Sequence, residues 1–331
     1  MQIYLAPMEG ITTYVYRKAY ANHFGNIDRY FTPFIANKKM GKRDRDGILP
    51  ENNPRMELIP QILTNSADDF LSVTKDLAAY GYHTVNLNLG CPSGTVVGKK
   101  RGSGFLGQPL ELERFLVEIY EKCPLKISIK TRVGLEREEE WEGLLSIYEK
   151  FPLEELIIHP RLRKDFYQGE IRYQTFHKAI NRMKVPLCYN GEINSVEDFR
   201  DICNRFPTID RVMIGRGILR NPELVEEIRL WEKEKDSKGN EAVAKDNLVK
   251  KEYDENSLKR LYSFHQEIYE GYQKIMSGDI NTLYKMKELW CYLGDGWEGK
   301  EKSLKRIKKA KNLKEYEREI ANIFGDILTL N

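Results

Sequence analysis

Residues 84–107, with the sequence TVNLNLGCPSGTVVGKKRGSGFLG, join a predicted strand to a loop rich in glycine and positive charge. The segment begins with an apolar, β-branched run that carries Asn86 and Asn88 one strand period apart. The run ends at Gly90-Cys91-Pro92, where the glycine and the proline terminate the strand and constrain the backbone on both sides of the cysteine. The pattern therefore predicts a buried strand with a thiol placed at its carboxyl end.

Three consecutive cations, Lys99, Lys100 and Arg101, follow Cys91 among small residues. Loops carry function more often than the elements they connect, and the cations predict attraction of an anionic substrate. We therefore expect a flexible cationic loop over the thiol. The alternative is that Cys91 is a small buried hydrophobic residue, as free cysteines commonly are.

The composition is that of a soluble globular protein with room for one large domain and a smaller one. The 331 residues are 41% hydrophobic and 31% charged, and the net charge of +3 neither requires nor excludes nucleic acid. No apolar run approaches the roughly 20 residues that a membrane-spanning helix needs. Residues 1–7 lack a basic segment and enter a predicted strand at once. We therefore expect a cytoplasmic protein without a membrane partner.

Cysteine and histidine spacing gives no support for a disulfide framework or a metal site. The five cysteines are widely and irregularly spaced without a Cys-x-x-Cys pair, and the five histidines form no His-x-x-x-His pair. We therefore predict that the protein binds no metal.

Short apolar segments recur about every 25 to 30 residues through the first two thirds of the chain, apart from a longer interval after Cys91. They lie around 3–7, 29–34, 58–63, 84–89, 127–131, 156–159, 187–190 and 212–215. Helical patterns occupy most of the intervals, at 66–80, 109–122, 138–151, 195–206 and 222–235. The second interval, 38–53, is polar and shows no clear helix. Alternation of this kind predicts parallel βαβ units, and eight of them predict a closed (β/α)8 TIM barrel.

The active site of such a barrel lies at the carboxyl ends of its strands, so the polar residues there become candidates. They are Pro7 and Met8, Gln61, Asn88 and Cys91, Lys130 and Arg132, His159 and Arg161, Asn190 and Gly191, and Gly215 and Arg216. Lys130 carries the strongest signal, because an ammonium on a buried strand needs an anionic or electron-rich partner. The glycine-containing turns after the last two strands predict phosphate binding. Ordinary structural roles, such as a turn or a satisfied backbone group, remain the alternative for the others.

The chain becomes charged and rich in helix breakers over 236–256, which predicts a linker between a barrel at 1–235 and an all-helical domain at 257–331. Helical patterns in that domain cover 257–277, 281–293 and 303–330. Residues 300–318 contain nine basic and three acidic residues, a local charge of +6, and include Lys305, Arg306, Lys308 and Lys309. With nearby aromatic residues, this segment predicts binding of a phosphate backbone and stacking of bases. The alternative is a solvated helix face over an aromatic core.

Taken together, these motifs resemble those of the tRNA-dihydrouridine synthase family, flavoenzymes that reduce uridine in RNA. The resemblance covers the whole predicted barrel, and its combination of motifs is highly specific. The motifs are Ala6-Pro7-Met8-Glu9-Gly10, Gln61, Asn88-Leu89-Gly90-Cys91-Pro92, Gly102-Ser103-Gly104, Lys130-Thr131-Arg132, His159-Pro160-Arg161, Tyr167-Gln168-Gly169, Asn190-Gly191-Glu192-Ile193 and Ile214-Gly215-Arg216-Gly217.

The resemblance implies an FMN cofactor, NADPH as the hydride donor and Cys91 as the general acid that protonates uracil C5 after hydride transfer to C6. It also implies a tRNA partner, or another structured RNA, and we expect a monomer. The implied FMN ligands are Pro7, Met8, Gln61, Asn88, Lys130, His159, Asn190, Gly191, Glu192, Gly215 and Arg216. The residues expected to steady RNA or developing charge are Lys99, Lys100, Arg101, Arg132, Arg161, Lys305, Arg306, Lys308 and Lys309.

Several alternatives remain open from the sequence. The same chemistry on ribosomal RNA and a related flavin enzyme acting on a free pyrimidine both fit the barrel motifs. Residues 102–107 match G-x-G-x-x-G, but no buried strand precedes them, so a dinucleotide site is the weaker interpretation. A barrel that only binds RNA would not need both Cys91 and Lys130.

Overall fold

Nine parallel strands form one sheet in the order β3-β2-β1-β9-β8-β7-β6-β5-β4. The structure is a computed structural model, and it describes residues 1–238, 254–295, 297 and 299–328. The strands are β1 (Gln2–Leu5), β2 (Arg29–Phe31), β3 (Leu58–Ile59), β4 (Gln61–Ile62), β5 (Thr84–Leu89), β6 (Lys126–Arg132), β7 (Leu156–His159), β8 (Leu187–Tyr189) and β9 (Arg211–Ile214).

The sheet closes on itself at Pro60. Only this residue separates β3, which pairs with β2, from β4, which pairs with β5. Proline has no N–H to donate to the ladder, which accounts for the interruption. Its carbonyl still accepts from the N–H of Asn86 at 2.9 Å. The two short strands are thus one barrel strand, and the predicted (β/α)8 barrel is confirmed.

Apolar side chains from six of the strands or their ends fill the barrel interior. They are Tyr4, Ala6, Phe31, Ile59, Ile157, Cys188 and Met213. Alternate residues of each strand point inward, so the residues two positions further along, such as Met8, Gln61 and His159, line the carboxyl end. This alternation is what positions the candidate site.

Fourteen α-helices lie in the described part of the chain. They are α1 (Tyr14–His23), α2 (Lys42–Ile48), α3 (Ala67–Ala79), α4 (Gly94–Val97), α5 (Pro109–Lys122), α6 (Glu140–Tyr148), α7 (Tyr173–Arg182), α8 (Val196–Arg205), α9 (Arg216–Arg220), α10 (Leu224–Lys238), α11 (Glu255–Ile275), α12 (Asp279–Leu293), α13 (Glu301–Lys309) and α14 (Leu313–Leu328).

Several helices differ from expectation. The polar interval 38–53 does contain a helix, α2, in which the Asp44 carboxylate accepts from the N–H of Gly41 at 3.1 Å. Helices α1 and α7 lie in intervals for which no helical stretch is predicted from the sequence, although Phe176 and Ala179 of α7 are buried at helical spacing. The single helix expected over 303–330 is divided into α13 and α14, with a break at 310–312. No described helix combines the length and apolar character that crossing a membrane requires.

The chain divides into two compact units that do not follow chain order. The first comprises Met1–Glu9, Asp28–Glu192 and Asp201–Ile214, and the second comprises Gly10–Ile27, Ile193–Arg200 and the described residues from Gly215 onwards. Most of the predicted linker, residues 239–253, lies outside the described residues. The boundaries expected from sequence therefore stay a prediction.

Aromatic side chains form the core of the second unit. Phe264 of α11 makes an edge contact with Tyr16 of α1 at 5.6 Å between ring centroids. Further along α11, His265 is buried and lies beside Trp290 and Tyr316. Burial lowers the pKa of His265 to about 3, so the imidazole is neutral and belongs to this core.

Candidate active site

Cys91 lies directly after β5, in a turn that is fixed by Asn88. The Asn88 side-chain oxygen accepts hydrogen bonds from the N–H groups of Gly90 at 3.0 Å and Cys91 at 2.9 Å. The Cys91 carbonyl in turn accepts from the N–H and the hydroxyl of Ser103 at 3.1 and 2.8 Å. Burial raises the pKa of the Cys91 thiol above its ordinary value. The half-buried thiol is therefore protonated at neutral pH and able to act as an acid.

A chain of buried amides supports Asn88 from below. Asn88 donates to the Gln61 side-chain oxygen at 2.7 Å, and Gln61 donates to the Asn86 side-chain oxygen at 2.7 Å. Asn86 donates to the Ser128 hydroxyl at 2.8 Å. All four side chains are buried, so the hydrogen bonds that hold the Cys91 turn extend across three neighbouring strands. Sequence reasoning noticed the spacing of the two asparagines but missed Ser128, whose only signal is its position two residues before Lys130.

Lys130 lies beside Asn88 in the pairing of β6 with β5. Its ammonium makes no hydrogen bond or ion pair with the described residues. Burial, and to a lesser extent the positive charge of Arg132, lower the pKa of Lys130 to about 8. A half-buried cation without a protein partner at the mouth of a barrel indicates a place for an electron-rich ligand.

Arg132 and Arg161, expected to steady RNA or developing charge, are buried, with only 1% and 4% of their surfaces exposed. Arg132 donates to the carbonyls of Gly90 and Leu162, both at 2.9 Å, and burial lowers its pKa to about 10. It thus links the Cys91 turn to the loop after β7. Contact between Arg132 and RNA stays a prediction, and the burial of the Arg132 side chain argues against it.

Arg161 is also held by protein groups. It donates to the Gly169 carbonyl at 2.7 Å and to the Glu192 carboxylate at 2.9 Å, and it lies 3.2 Å from His159 Nε2. His159 is buried, and its ring stacks on Tyr167 with 6.3 Å between centroids. The structure thus brings His159, Arg161 and Glu192 together after β7 and β8. Direct contacts from them to a cofactor or to RNA stay predictions.

The segment after Cys91 is more ordered than the expected flexible loop. Helix α4 and a 3₁₀ turn over Gly102–Gly107 occupy most of it. Gly102 has φ of +55°, and a Cβ there would lie 3.1 Å from the Cβ of Cys91, so this close approach requires glycine. Arg101 donates to the Asn65 side chain and to the Ala36 carbonyl, both at 3.2 Å. Lys99 and Lys100 are exposed, and their role toward RNA stays a prediction.

The remaining expected cofactor ligands follow the first and the last two barrel strands. Pro7 and Met8 follow β1 and are half-buried. Asn190 follows β8 and donates to the Met213 carbonyl at 2.8 Å, and Gly191 comes next. In the second unit, Gly215 and Arg216 begin α9. Their part in phosphate binding stays a prediction.

The basic segment of the second unit forms one exposed surface. The side chains of Lys302, Lys305, Lys308, Lys309, Lys311 and Lys314 are exposed, and none has an ion pair with a described residue. Ile307 and Leu313 point into the core instead. Arg306 and Arg318 lie 3.7 and 3.6 Å from the buried Glu319 carboxylate. This surface, which we call the α13 basic surface, has the charge that a phosphate backbone requires.

The fold and the site define a TIM-barrel enzyme with a protonated thiol directly after β5 and, on the adjacent β6, an ammonium without a partner among the described residues. The part of the chain that the structure describes holds no group of three or more metal-ligating side chains that could bind an ion. The family model for dihydrouridine synthase (Dus) matches residues 4–318, and the chain belongs to this family. The predicted family and the predicted class of enzyme, an oxidoreductase, are confirmed.

Two curated relatives extend this result. The tRNA-dihydrouridine synthase B of Pasteurella multocida is 26% identical over 225 residues, which are 67% of this chain and 67% of that protein. A probable tRNA-dihydrouridine synthase of Staphylococcus epidermidis is 28% identical over 227 residues, covering 66% of this chain and 69% of the relative. Among solved structures, histamine dehydrogenase from Rhizobium sp. 4-9 matches 70% of this chain and 46% of its own, with a TM-score of 0.50 and 10% identity. That last likeness concerns the fold alone.

Proposed function

We propose that the protein reduces uridine in tRNA to 5,6-dihydrouridine, with FMN as its cofactor and NADPH as the source of the hydride. The observation that carries the proposal is the pair formed by Cys91, an acid directly after β5, and Lys130, a cation on the adjacent β6 without a partner among the described residues. The chain that carries this pair belongs to the dihydrouridine synthase family. A cytoplasmic location and a monomeric state remain part of the proposal.

The residues present fit a flavin. Its ring carries carbonyl oxygens and ring nitrogens along one edge, and the Lys130 ammonium is a donor that lacks a partner among the described residues. Pro7 and Met8 offer a half-buried surface for the ring, and Asn88 and Gln61 offer amides to its polar edge. Asn190, Gly191, Glu192 and His159 would serve the ribityl chain and the phosphate, and the part of Gly215 and Arg216 in phosphate binding stays a prediction.

When bound, FMN supplies the hydride that uracil accepts at C6. The residues of the chain then have two tasks. Lys130 and Arg132 place positive charge near the site where negative charge develops on the base. Cys91 gives its proton to C5, and the sulfur is left as a thiolate until solvent protonates it again. Because Asn88 fixes the Cys91 backbone, the thiol is held ready for this transfer.

The α13 basic surface would bind the backbone of a folded RNA. This surface favours a large polyanion over a free pyrimidine, because a small base needs no row of exposed cations. A base inside a folded RNA must leave its stack to be reduced. In this proposal the base enters the carboxyl end of the barrel strands beside Cys91, and the α13 basic surface binds the RNA backbone.

The chemical proposal is tested with Cys91→Ala and wild-type enzyme on tRNA from cells that lack this gene. Dihydrouridine is mapped by mass spectrometry, and the flavin by its absorption. We expect Cys91→Ala to keep its flavin and to oxidise NADPH, but to form dihydrouridine at least about a hundredfold more slowly. A variant with the wild-type rate would remove the acid role from Cys91. Dihydrouridine found only in ribosomal RNA would change the substrate and not the chemistry.

The RNA contact is tested with the triple variant Lys305→Glu, Lys308→Glu and Lys309→Glu. A matched control, Lys18→Glu, Lys75→Glu and Lys184→Glu, changes the net charge equally on exposed positions elsewhere. We expect only the first triple variant to bind tRNA more weakly and with a shallower dependence on salt. Equal loss in both would assign the effect to net charge.

A further inference from the structure

The loop after β7 presents two aromatic side chains to solvent, Phe166 and Tyr167. They are 45% and 48% exposed, and no other large hydrophobic side chains exposed in the described part of the chain are neighbours in sequence. Tyr167 leans on His159 and on Arg132, whose guanidinium lies 5.3 Å from its ring centroid. Phe166 has no such support from the barrel.

The backbone holds Phe166 in place at a cost. Its φ of 47° and ψ of −103° lie in a region that residues with a side chain seldom adopt. The flanking residues are fixed, because the Asp165 carboxylate accepts from the N–H of Leu162 at 2.9 Å and pairs with Arg172. Gly169 packs so closely on Asp165 that a Cβ would lie 2.4 Å from the aspartate Cβ. Strain that is held by its surroundings occurs often at binding sites.

Arg163 lies beside Phe166 with its guanidinium carbon 5.3 Å from the ring centroid. Its Nε is buried without a hydrogen-bond partner, and the side chain has no ion pair with a described residue. The neighbouring Lys164 is exposed, whereas the negative charge of Asp165 is neutralised by Arg172. The loop thus combines an exposed ring with an adjacent guanidinium that has no ion pair among the described residues.

On the basis of the proposed function, we propose that Phe166 and Arg163 bind the nucleotide next to the substrate uridine in the RNA. The Phe166 ring stacks on the base of that nucleotide, and the Arg163 guanidinium donates to its phosphate. Extrusion of a base removes a stacking partner from its neighbour, and an aromatic ring replaces that partner for any base. A guanidinium over a ring keeps its N–H groups free at its edge, where a phosphate can accept from them.

The test uses the holoenzyme and an unmodified tRNA transcript, with Phe166→Ala, Phe166→Gly and Phe166→Trp. Removal of the ring is expected to raise the KM for the tRNA at least about fivefold, which corresponds to the lower end of the free energy of stacking one base on an aromatic ring. The kcat and the flavin spectrum should not change. Phe166→Trp is expected to restore the KM. Because glycine adopts positive φ without strain, equal effects of alanine and glycine would assign the loss to the ring. A KM restored by glycine would assign it to the backbone and overturn the proposal.

Two further variants complete the experiment. Arg163→Gln is expected to lower the slope of log affinity against log salt by about 1, the value for one phosphate contact, and an unchanged slope would overturn the phosphate contact. Tyr80→Ala is the control, because Tyr80 is 39% exposed and follows α3 just before β5, at the opposite end of the strands. If Tyr80→Ala raises the KM for the tRNA as much as Phe166→Ala does, the effect is not local to Phe166 and the proposal is overturned. If the wild-type enzyme reduces no uridine in tRNA, both the proposed function and this inference fail. If the wild-type enzyme is active and Phe166→Ala has an unchanged KM, only the inference fails.

Discussion

The two ends of the barrel carry similar kinds of charged side chains, but they use them differently. At the amino-terminal end, Glu155 is buried and lies 2.9 Å from the Arg211 guanidinium and 3.0 Å from the Tyr4 hydroxyl. At the carboxyl end, Lys130 has no such partner among the described residues. Burial raises the pKa of Glu155 even though Arg211 pairs with it, and burial lowers that of Lys130. Both charges are therefore buried at a cost, and among the described residues only Glu155 has an ion-pair partner, whereas Lys130 has none.

This difference indicates what each end is for. A buried charge that the protein pairs contributes to the fold, whereas one left unpaired is compensated by a ligand or lowers the stability of the ligand-free protein. In barrels of this class the carboxyl end holds the chemistry and the amino-terminal end holds the fold together. Substitutions at the two ends should consequently separate stability from activity.

The largest effect is expected for Arg211→Met. It removes the guanidinium that pairs with the buried Glu155 carboxylate, so we expect the free energy of unfolding to fall by about 3–5 kcal/mol. Denaturation in urea followed by circular dichroism measures this, and activity per folded molecule should not change. The double variant Arg211→Met, Glu155→Leu removes both charges and should recover most of the loss. If the double variant is as unstable as the single one, the cost comes from packing and not from the unpaired carboxylate.

At the other end, Lys130→Met should reverse this pattern. We expect uridine reduction to slow about 10²–10³-fold, as when one preorganised donor is removed from an active site. The unfolding free energy of the flavin-free protein should stay equal or rise, because the variant no longer buries an unpaired cation. Lys130→Arg, which keeps the charge, is the matched control. A Lys130→Met protein that is destabilised like Arg211→Met would show that the two ends do not differ.

The pH dependence of Lys130 sharpens the same contrast. Its pKa of about 8 lies below the ordinary 10.5, so between these values the unfolded chain binds more protons than the folded one. The contribution of Lys130 to the free energy of unfolding therefore increases with pH across this interval. By contrast, a flavin contact that needs the charged ammonium weakens above pH 8. Unfolding curves of flavin-free wild type and Lys130→Met at pH 8 and 10 measure the difference. Parallel curves would contradict the lowered pKa.

Asn86→Leu tests the amide chain between the two ends. The change removes the buried side-chain amide that accepts from Gln61 and donates to Ser128, so we expect a loss of about 1–3 kcal/mol in unfolding free energy. Activity should fall as well, because Gln61 orients Asn88, which holds the Cys91 turn. Ser128→Ala keeps the bond between Gln61 and Asn86 and should show a smaller effect on both. Full activity in Asn86→Leu would show that the turn does not depend on this chain.

Sequence alone predicts the elements whose signal is local. Strand spacing gives the barrel, the Gly90-Cys91-Pro92 turn gives the thiol, and a lysine inside the β-branched run of β6 gives the unpaired cation. The burial of Arg132 could not be predicted, because its partners are carbonyls supplied by two loops distant in sequence. The same holds for Arg161, which depends on Gly169 and Glu192. Charge is visible in a sequence, but whether the protein or a ligand compensates it depends on the assembled loops.

The smallest effect is expected for Tyr4→Phe, which removes one hydroxyl from the amino-terminal end of the barrel, where Glu155 pairs with Arg211, and keeps the ring in the barrel interior. The hydroxyl, which has one proton to donate, lies 2.8 Å from the Gln2 side-chain oxygen and 3.0 Å from the Glu155 carboxylate. Arg211 still pairs with that carboxylate after the change. We expect a loss of about 1 kcal/mol in unfolding free energy and an unchanged rate of uridine reduction, measured at a temperature where both proteins are folded. Because Tyr4 and Met8 lie on the same strand and its extension, this variant is the most direct probe of coupling between the two ends. A slower rate at undiminished stability would mean that the amino-terminal end of the barrel also positions the active site. Stability and activity would then not be separated between the two ends.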